Sequence, residues 1–318
     1  MSFKKSSIYL FLKGLSMGIA EVIPGVSGGT IAFVTGIYER LITAIKNFLS
    51  PMPIRAYREG GVKSLWEVLD GGFLSILLLG MGVGMLGGIF SISFLLEMYP
   101  APIWGLFFGL IFASIFYIGG KVDYWNYSSV TAFIIGTGIA FMITFLNPGQ
   151  GTEALWFVFF SGMLAISALI LPGVSGSFIL LLMGMYTVII PSVKDAIKTL
   201  NPDSLIIVGV FALGCLLGLG VFSRVLTWAF EKYRDQTMAI LAGFMFGSLN
   251  KIWPWRNVVE YRINSKGHKV PLIEDCVLPA YYTQAPPYTI WVFVMIALGL
   301  LAVIFLAKTE KRAEWNKE

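Results

Sequence analysis

Two stretches of the chain carry the same five residues, Pro-Gly-Val-Ser-Gly, at 24–28 and again at 172–176. Each lies in the middle of an apolar segment. Proline lacks the amide hydrogen that a helix needs and glycine lets the backbone turn, so each stretch predicts a broken helix. Backbone groups freed by such a break cannot face hydrocarbon, and they must be buried in protein or line a wet cavity. The repeated break therefore predicts a polar site inside the protein.

The residues after each break suit an anion. We expect residues 27–30 to begin a helix in the first copy and residues 175–177 to begin one in the second. A helix start offers unpaired N–H donors and a partial positive charge. Small residues let the backbone approach a ligand, and hydroxyl groups add donors. Two facing helix starts of this kind would hold a phosphate or a similar oxyanion.

Charge within an apolar segment is costly and usually functional, and three of the charged residues there are candidates for the site. Glu21 precedes the first break, and we expect it to bind a proton or a basic partner. Arg224 can grip a phosphate with two parallel hydrogen bonds, and Lys13 can assist, although both side chains can also reach the headgroup region. The expected substrate-binding residues are Glu21, Pro24, Gly25, Ser27, Gly28, Gly29, Thr30, Pro172, Gly173, Ser175, Gly176, Ser177, Arg224 and Lys13.

The composition places these residues in a membrane. Of 318 residues, 57% are hydrophobic and only 13% are charged, whereas soluble domains carry about 25% charged residues. Apolar segments cover 8–37, 71–97, 101–120, 128–146, 154–190, 204–230, 237–253 and 288–307. The first and fifth contain the breaks, and the other six have the length of ordinary membrane spans. We expect an all-α integral membrane protein.

The two broken segments are copies, since a shift of 148 residues aligns Gly14 with Gly162, Ala20 with Ala168 and residues 24–28 with 172–176. The order is one broken segment and three spans, twice over. If each broken segment returns to its own side, each half crosses three times and the second half is inverted, as in many transporters. The expected organisation is a first membrane repeat at 1–150 and a second at 151–318, forming one transmembrane domain.

Loop charges orient this arrangement. Basic residues dominate the loop at 38–70, the turns near 121 and 232–234, and the tail, so these parts and both termini are expected in the cytoplasm. The segment 251–287 disagrees, because it is expected outside yet carries Lys251, Arg256, Arg262, Lys266 and Lys269. It reads either as an interfacial belt with Trp253 and Trp255 or as a cap over the site from outside.

Some short motifs in the chain also occur in enzymes and channels. Gly25-Val26-Ser27-Gly28 fits the G-x-S-G pattern of intramembrane serine proteases, but that chemistry needs a base, and the single histidine, His268, lies in a polar loop. No phosphate loop of the G-x-x-x-x-G-K-[ST] type occurs. We expect no cofactor, metal or nucleic-acid partner. A small-oxyanion or ion transporter or channel with a broken-helix anion site remains an alternative, and an intramembrane serine hydrolase is a second one.

The run from Gly14 to Tyr38, with Glu-Val-Ile-Pro-Gly-Val-Ser-Gly-Gly-Thr at 21–30, resembles the polyprenyl-phosphate transporter family, and so does the second copy from Leu171 to Tyr186. The resemblance extends over almost the whole chain. It implies a bacterial plasma-membrane flippase that returns undecaprenyl phosphate from the outer to the inner leaflet, recycling the lipid carrier of peptidoglycan and other envelope polymers. It also implies paired re-entrant helices whose loops recognise phosphate, here through Glu21, Ser27 and Ser175. Ser177 replaces Gly29 in the second copy, which puts a two-fold symmetric site in doubt. Coupling to protons would follow from protonation of Glu21 or of the phosphate.

Overall fold

The structure, a computed structural model, describes residues 3–22, 27–146, 149, 151–263 and 269–315. Within these ranges the chain is mostly helical. The helices are α1 Phe3–Glu21, α2 Gly28–Val34, α3 Tyr38–Phe48, α4 Met52–Val68, α5 Gly71–Met98, α6 Pro100–Gly119, α7 Tyr127–Thr144, α8 Leu155–Ile170, α9 Gly176–Leu182, α10 Tyr186–Thr199, α11 Pro202–Lys232, α12 Arg234–Ser248 and α13 Thr289–Trp315.

Five helices in the described residues are long and apolar enough to span a membrane: α5, α6, α7, α11 and α13. They match five of the six spans that the sequence predicts. The sixth, at 237–253, is shorter than expected, because α12 ends at Ser248 after 15 residues and continues as a 3₁₀ turn, Leu249–Ile252. The chain is a multi-pass membrane protein.

Both predicted breaks are present. In the first copy, α1 ends at Glu21 and α2 begins at Gly28; in the second, α8 ends at Ile170 and α9 begins at Gly176. The short helices α2 and α9 are each followed by a turn through a glycine with positive φ, Gly36 and Gly184, both at 70°. This conformation costs glycine little. The turn after α9 bends the chain by 110° into α10. The equivalent glycines produce the same turn in both copies.

Glycine explains how the long helices pack. A side chain at Gly18 of α1 would place its Cβ 2.0 Å from the carbonyl oxygen of Met81 of α5, so only glycine permits this contact. Helix α8 meets α11 in the same way. Along each pair the residue numbers of the contacts increase in the same direction in both helices, so the two helices of each pair run parallel. The facing residues are Gly14 with Leu77 and Gly18 with Met81 in the first pair, and Phe159 with Gly214 and Met163 with Gly218 in the second.

The remaining long helices form two further parallel pairs, α6 with α13 and α7 with α12, so each of these pairs joins the two halves of the chain. Their glycines again meet the partner backbone, as is usual where helices associate in lipid. The facing residues are Gly105 with Val292 and Gly109 with Ile296 in one pair, and Phe133 with Gly243 and Thr137 with Gly247 in the other. Helix α12 supplies much of the core, with Met238, Leu241 and Met245 almost fully buried.

One end of the helix assembly, here called the charged end, collects ion pairs from distant parts of the chain. Asp235, at the start of α12, accepts hydrogen bonds from the amides of Asp123 and Tyr124, which precede α7. Salt bridges join the same end. They link Arg40 with Asp70, Lys46 with Glu231, and Arg234 with Glu39 and Asp123. The residues that the sequence analysis placed in basic loops at 38–70 and near 121 and 232–234 therefore share one end.

The opposite end, here called the hairpin end, carries a feature that the sequence analysis missed. Strands β1, Arg256–Ile263, and β2, Lys269–Cys276, form an antiparallel hairpin in which Arg256 lies opposite Cys276. The segments that flank the hairpin are joined by the Trp255 indole, just before β1, which donates to the carbonyl of Pro287, just before α13, at 2.8 Å. The expectation of an all-α chain is therefore correct for the membrane helices but omits this two-stranded sheet. Two short strands within a polar segment produce only a weak pattern of alternating hydropathy, so the sequence does not predict them.

The expectation of a loop at 38–70 was also wrong. This stretch contains α3 and α4, and α4 exposes the apolar side chains Ile54, Tyr57, Val62 and Trp66. Charged residues between these apolar ones lowered the mean hydropathy, so a search for long apolar segments does not detect the helix.

Candidate functional site

The first break is closed by side chains of its own. The Glu21 carboxylate accepts a hydrogen bond from the Gly28 amide at 2.7 Å, and the Ser27 hydroxyl accepts one from the Gly29 amide at 3.1 Å. Ser27 thus caps α2, as its residue type favours. The first two amides of α2, which the sequence analysis assigned to an anionic ligand, hold a carboxylate and a hydroxyl in this structure. Pro24 and Gly25 lie outside the described residues.

The two breaks meet. The Ser27 hydroxyl donates to the carbonyl of Leu169 at 3.1 Å, and the Tyr38 hydroxyl donates to the carbonyl of Ile170 at 3.2 Å. These carbonyls belong to the last turn of α8 and have no partner further along that helix. In return, the Thr30 hydroxyl accepts from the Gly173 amide at 3.2 Å. We call residues 27–30 and Tyr38 together with residues 169–173 the junction.

The junction is buried and tightly packed. The exposed fractions of Ser27, Thr30 and Tyr38 are 1%, 1% and 2%. A Cβ on Gly29 would lie 2.5 Å from the Ile170 carbonyl oxygen, and Gly173 has a φ of 82°, so both positions require glycine. Polar groups buried this deeply need hydrogen-bond partners, and each break supplies them to the other. The two repeated motifs thus form one structural unit.

The second break is built differently from the first. Ser175 precedes α9 without capping it, and its hydroxyl instead lies 2.9 Å from that of Ser177. Pro172, Ser175 and Gly176 are buried, whereas Ser177 is exposed. A Cβ on Gly176 would lie 2.4 Å from the Ala165 carbonyl oxygen, which explains the glycine. The difference between the copies agrees with the asymmetry that Ser177 in place of Gly29 suggested.

The two predicted basic residues bind helix ends. Lys13 donates to the carbonyl of Thr35, which follows α2. Arg224 donates to the carbonyl of Gly220 at 3.1 Å and to that of Leu49, which follows α3. A cation is favourable at a helix C-terminus, where the carbonyl groups point outward. In the described part of the chain the Arg224 hydrogen bonds stay away from the junction.

A basic residue that the sequence analysis did not select lies beside the second break. Lys251, in the 3₁₀ turn after α12, lines a cavity of about 20 Å³ together with Gly173, Val174, Ser175 and Phe178. The ends of α7 and α12 complete the wall. The signal in the sequence is the basic charge of segment 251–287, which disagrees with the expected topology and is consistent with a cap over the site.

Electrostatics single out this lysine. Its ammonium nitrogen lies 4.9 Å from the centre of the Phe178 ring and 4.0 Å from a Glu274 carboxylate oxygen. Burial lowers the pKa of Lys251 below its ordinary value, and the neighbouring positive charge of Arg256 lowers it further, while Glu274 opposes both effects. A cation held this way gains from the arrival of an anion.

The fold and the buried junction define a polytopic membrane protein whose two broken helices meet inside it. Residues 17–270 match the family described as undecaprenyl phosphate translocase-like. The chain belongs to this family, which confirms the resemblance drawn from the motifs and identifies the protein as a transporter and not an enzyme.

Two relatives carry the name polyprenyl-phosphate transporter. The protein from Vibrio cholerae serotype O1 is 40% identical over 313 residues, covering 96% of both chains. The protein from Staphylococcus aureus is 31% identical over 258 residues, covering 76% of this chain and 85% of the relative. No solved structure matches the chain.

Proposed function

We propose that this protein is a flippase for polyprenyl phosphate, carrying undecaprenyl phosphate from the outer to the inner leaflet of the bacterial plasma membrane and so recycling the lipid carrier. The names of the relatives support the substrate. The observation that carries the transport mechanism is the junction, where two broken helices exchange hydrogen bonds through Ser27, Thr30 and Tyr38.

The repeats are inverted in this proposal. Helix α1 runs parallel to α5, and α8 runs parallel to α11. Helix α5 begins beside the ion pair of Asp70 at the charged end, whereas α11 finishes there with the ion pair of Glu231. The two broken segments consequently enter from opposite ends. This supports the division into repeats at 1–150 and 151–318, with sites at the repeat interface near the midplane.

The charged end is cytoplasmic in this proposal. Its basic side chains fit the bias of cytoplasmic loops towards lysine and arginine, and the hairpin end then faces the outside. The long helices alternate accordingly between the two ends. Both termini lie in the cytoplasm.

The phosphate headgroup would bind between the halves. It would use the helix starts at 27–30 and at 172–177, with Lys13 or Arg224 reached after rearrangement. The Glu21 carboxylate holds the Gly28 amide at 2.7 Å, so it competes with an oxyanion for that donor. Protonation of Glu21 weakens its acceptor strength and frees the amide, which provides a route to proton coupling. Rocking of one repeat against the other would alternate access while the prenyl chain stays in lipid.

The test is transport in proteoliposomes loaded with a short-chain polyprenyl phosphate on one side. Glu21→Gln is expected to remove the dependence of the rate on a proton gradient, and Arg224→Ala is expected to lower the rate. Glu153→Gln, which changes an exposed carboxylate before α8, is the matched control. Wild-type rates and wild-type gradient dependence in both variants would remove these roles. Transport of inorganic phosphate instead of the lipid would favour the small-oxyanion alternative.

A further inference from the structure

One cation from outside the repeated motifs lines the cavity beside the second break. This is Lys251, in the turn after α12, and the Glu274 carboxylate links it to a second cation, Arg256, at the start of β1. Arg256 is 7% exposed. Its guanidinium stacks 4.4 Å above the Trp104 ring and lies 2.9 Å from the Glu274 carboxylate. The hairpin thus fixes a buried arginine against the membrane helices.

The charges of this cluster do not cancel. Lys251 and Arg256 share one carboxylate, Glu274, so one positive charge is in excess. Glu274 binds Arg256 closely, at 2.9 Å, and Lys251 only at 4.0 Å. None of the hydrogen bonds that the described residues make involves the Lys251 ammonium, and in the same part of the chain the buried Nε of Arg256 has no partner. The Lys251 side chain is half-buried beside the cavity, so an acceptor that enters the cavity would supply a hydrogen bond to its ammonium group.

The cavity offers matching groups on its other wall. Gly173, Val174 and Ser175 of the second break line it together with Lys251. Its volume of about 20 Å³ accommodates about one water molecule, which is less than a phosphate needs. A headgroup can enter only if the 3₁₀ turn and the second break separate. This is the movement that opening of the hairpin end would produce.

We propose that Lys251, supported by Arg256 and Glu274, binds the phosphate monoester of the substrate at the hairpin end, opposite Ser175. The inference rests on the proposed function and assigns its headgroup contact to a residue outside the two repeated motifs. A lysine ammonium binds phosphate as a point charge through charge-assisted hydrogen bonds. Glu274 keeps the two cations together while the site is empty, and leaves Lys251 the freer of the two to meet the ligand.

Binding of farnesyl phosphate, a short soluble analogue, to the purified full-length protein tests this proposal, with farnesol and inorganic phosphate as separate ligands. Lys251→Met is expected to weaken farnesyl phosphate binding about tenfold, the effect of losing one charge-assisted hydrogen bond, and to leave farnesol binding unchanged. Lys251→Arg keeps the charge and should retain most of the affinity. Lys269→Met, at an exposed lysine of β2, is the matched control and should behave as wild type.

A second variant separates binding from folding. Glu274→Gln removes the opposing charge, so the affinity for farnesyl phosphate should rise, a result that misfolding cannot produce. Equal affinity of wild type and Lys251→Met would overturn this inference and leave the proposed function intact. Wild type that binds inorganic phosphate as well as farnesyl phosphate would point to a free oxyanion as the ligand. Wild type that binds neither would overturn both proposals.

Discussion

At the scale of single residues, the junction depends on hydroxyl groups that serve the opposite repeat. Thr30 is the clearest case, since its hydroxyl accepts from the Gly173 amide, 143 positions away. Neither group has access to solvent, so the contact replaces hydration for both. The same side chain that looked like a ligand donor in the sequence is a structural partner in this conformation. A transport cycle that opens the junction must break this bond.

Replacing Thr30 with valine tests this contact. The shape is kept while the Gly173 amide loses its acceptor, so we expect the free energy of unfolding to fall by about 1–3 kcal/mol. The melting temperature of the purified protein measures the effect. Thr131→Val is the control, because Thr131 is only half-buried and its hydroxyl donates to the carbonyl of Tyr127 within its own helix. Equal melting temperatures for the two variants would contradict the importance of the junction bond.

At the residue scale, the sequence and the structure agree on where the polar residues of the breaks lie but differ on which groups these residues bind. The sequence predicted that Ser27 and Gly28 begin a helix, and they do. It could not predict that Glu21 would fill the Gly28 amide, because that contact depends on the path of the chain through the break. Lys251 was out of reach for the same reason, since its neighbour Ser175 is distant in sequence.

At the scale of elements, parallel helix pairs in direct backbone contact form the scaffold. In α5, Gly84 faces Leu15 of α1 so closely that a Cβ would lie 2.0 Å from the Leu15 carbonyl oxygen. Gly82, two residues earlier on the same helix, has nothing within 4 Å of such a Cβ. The close contacts between helices therefore account for part of the high glycine content of the chain.

Gly84→Ala and Gly82→Ala form a matched pair. The first must push α1 away from α5, and we expect a clear loss of melting temperature and of folded yield. The second adds a methyl group in open space and gains up to about 1 kcal/mol of helix propensity, so its melting temperature should be unchanged or slightly higher. Comparable losses in both variants would show that glycine in α5 serves flexibility rather than close packing.

The helices and strands that hydropathy did not predict are those with few apolar residues. The long apolar spans followed directly from hydropathy, because about 20 apolar residues are needed to cross the hydrocarbon core. Helix α4 and the β-hairpin lack that signal. Helix α12 is shorter than a full span yet carries completely buried residues, such as Met245, because other helices surround it.

At the scale of the whole molecule, the two ends differ in chemistry, and the proposed orientation rests on this difference. The charged end carries salt bridges such as Arg40 with Asp70, and the hairpin end carries Trp253, Trp255 and the strands. The proposed orientation places the hairpin outside despite its basic residues. Arg256 is buried, Lys251 is half-buried and both pair with Glu274, so these two cations are poor reporters of the side on which a loop lies.

Cysteine labelling of intact cells checks this orientation. In a variant without the native cysteines Cys215 and Cys276, a membrane-impermeant maleimide should label Lys269→Cys from outside. Arg58→Cys, on the exposed surface of α4, should react only after the membrane is permeabilised. Labelling in the reverse order would invert the proposed topology and, with it, the direction in which Lys251 receives its ligand.

The sequence by itself determined that the chain resides in a membrane, where its long spans lie, and that two copies of one motif break two helices. Hydropathy and the backbone chemistry of proline and glycine act locally, so the spans and the breaks can be predicted from short stretches of sequence. Only the tertiary structure decided which groups the broken helices bind, because that depends on residues brought together from different repeats. It joined Ser27 to Leu169 and placed Lys251 beside Ser175. Desolvation favours a partner for most buried polar groups, and packing of the whole molecule decides which partner is within reach.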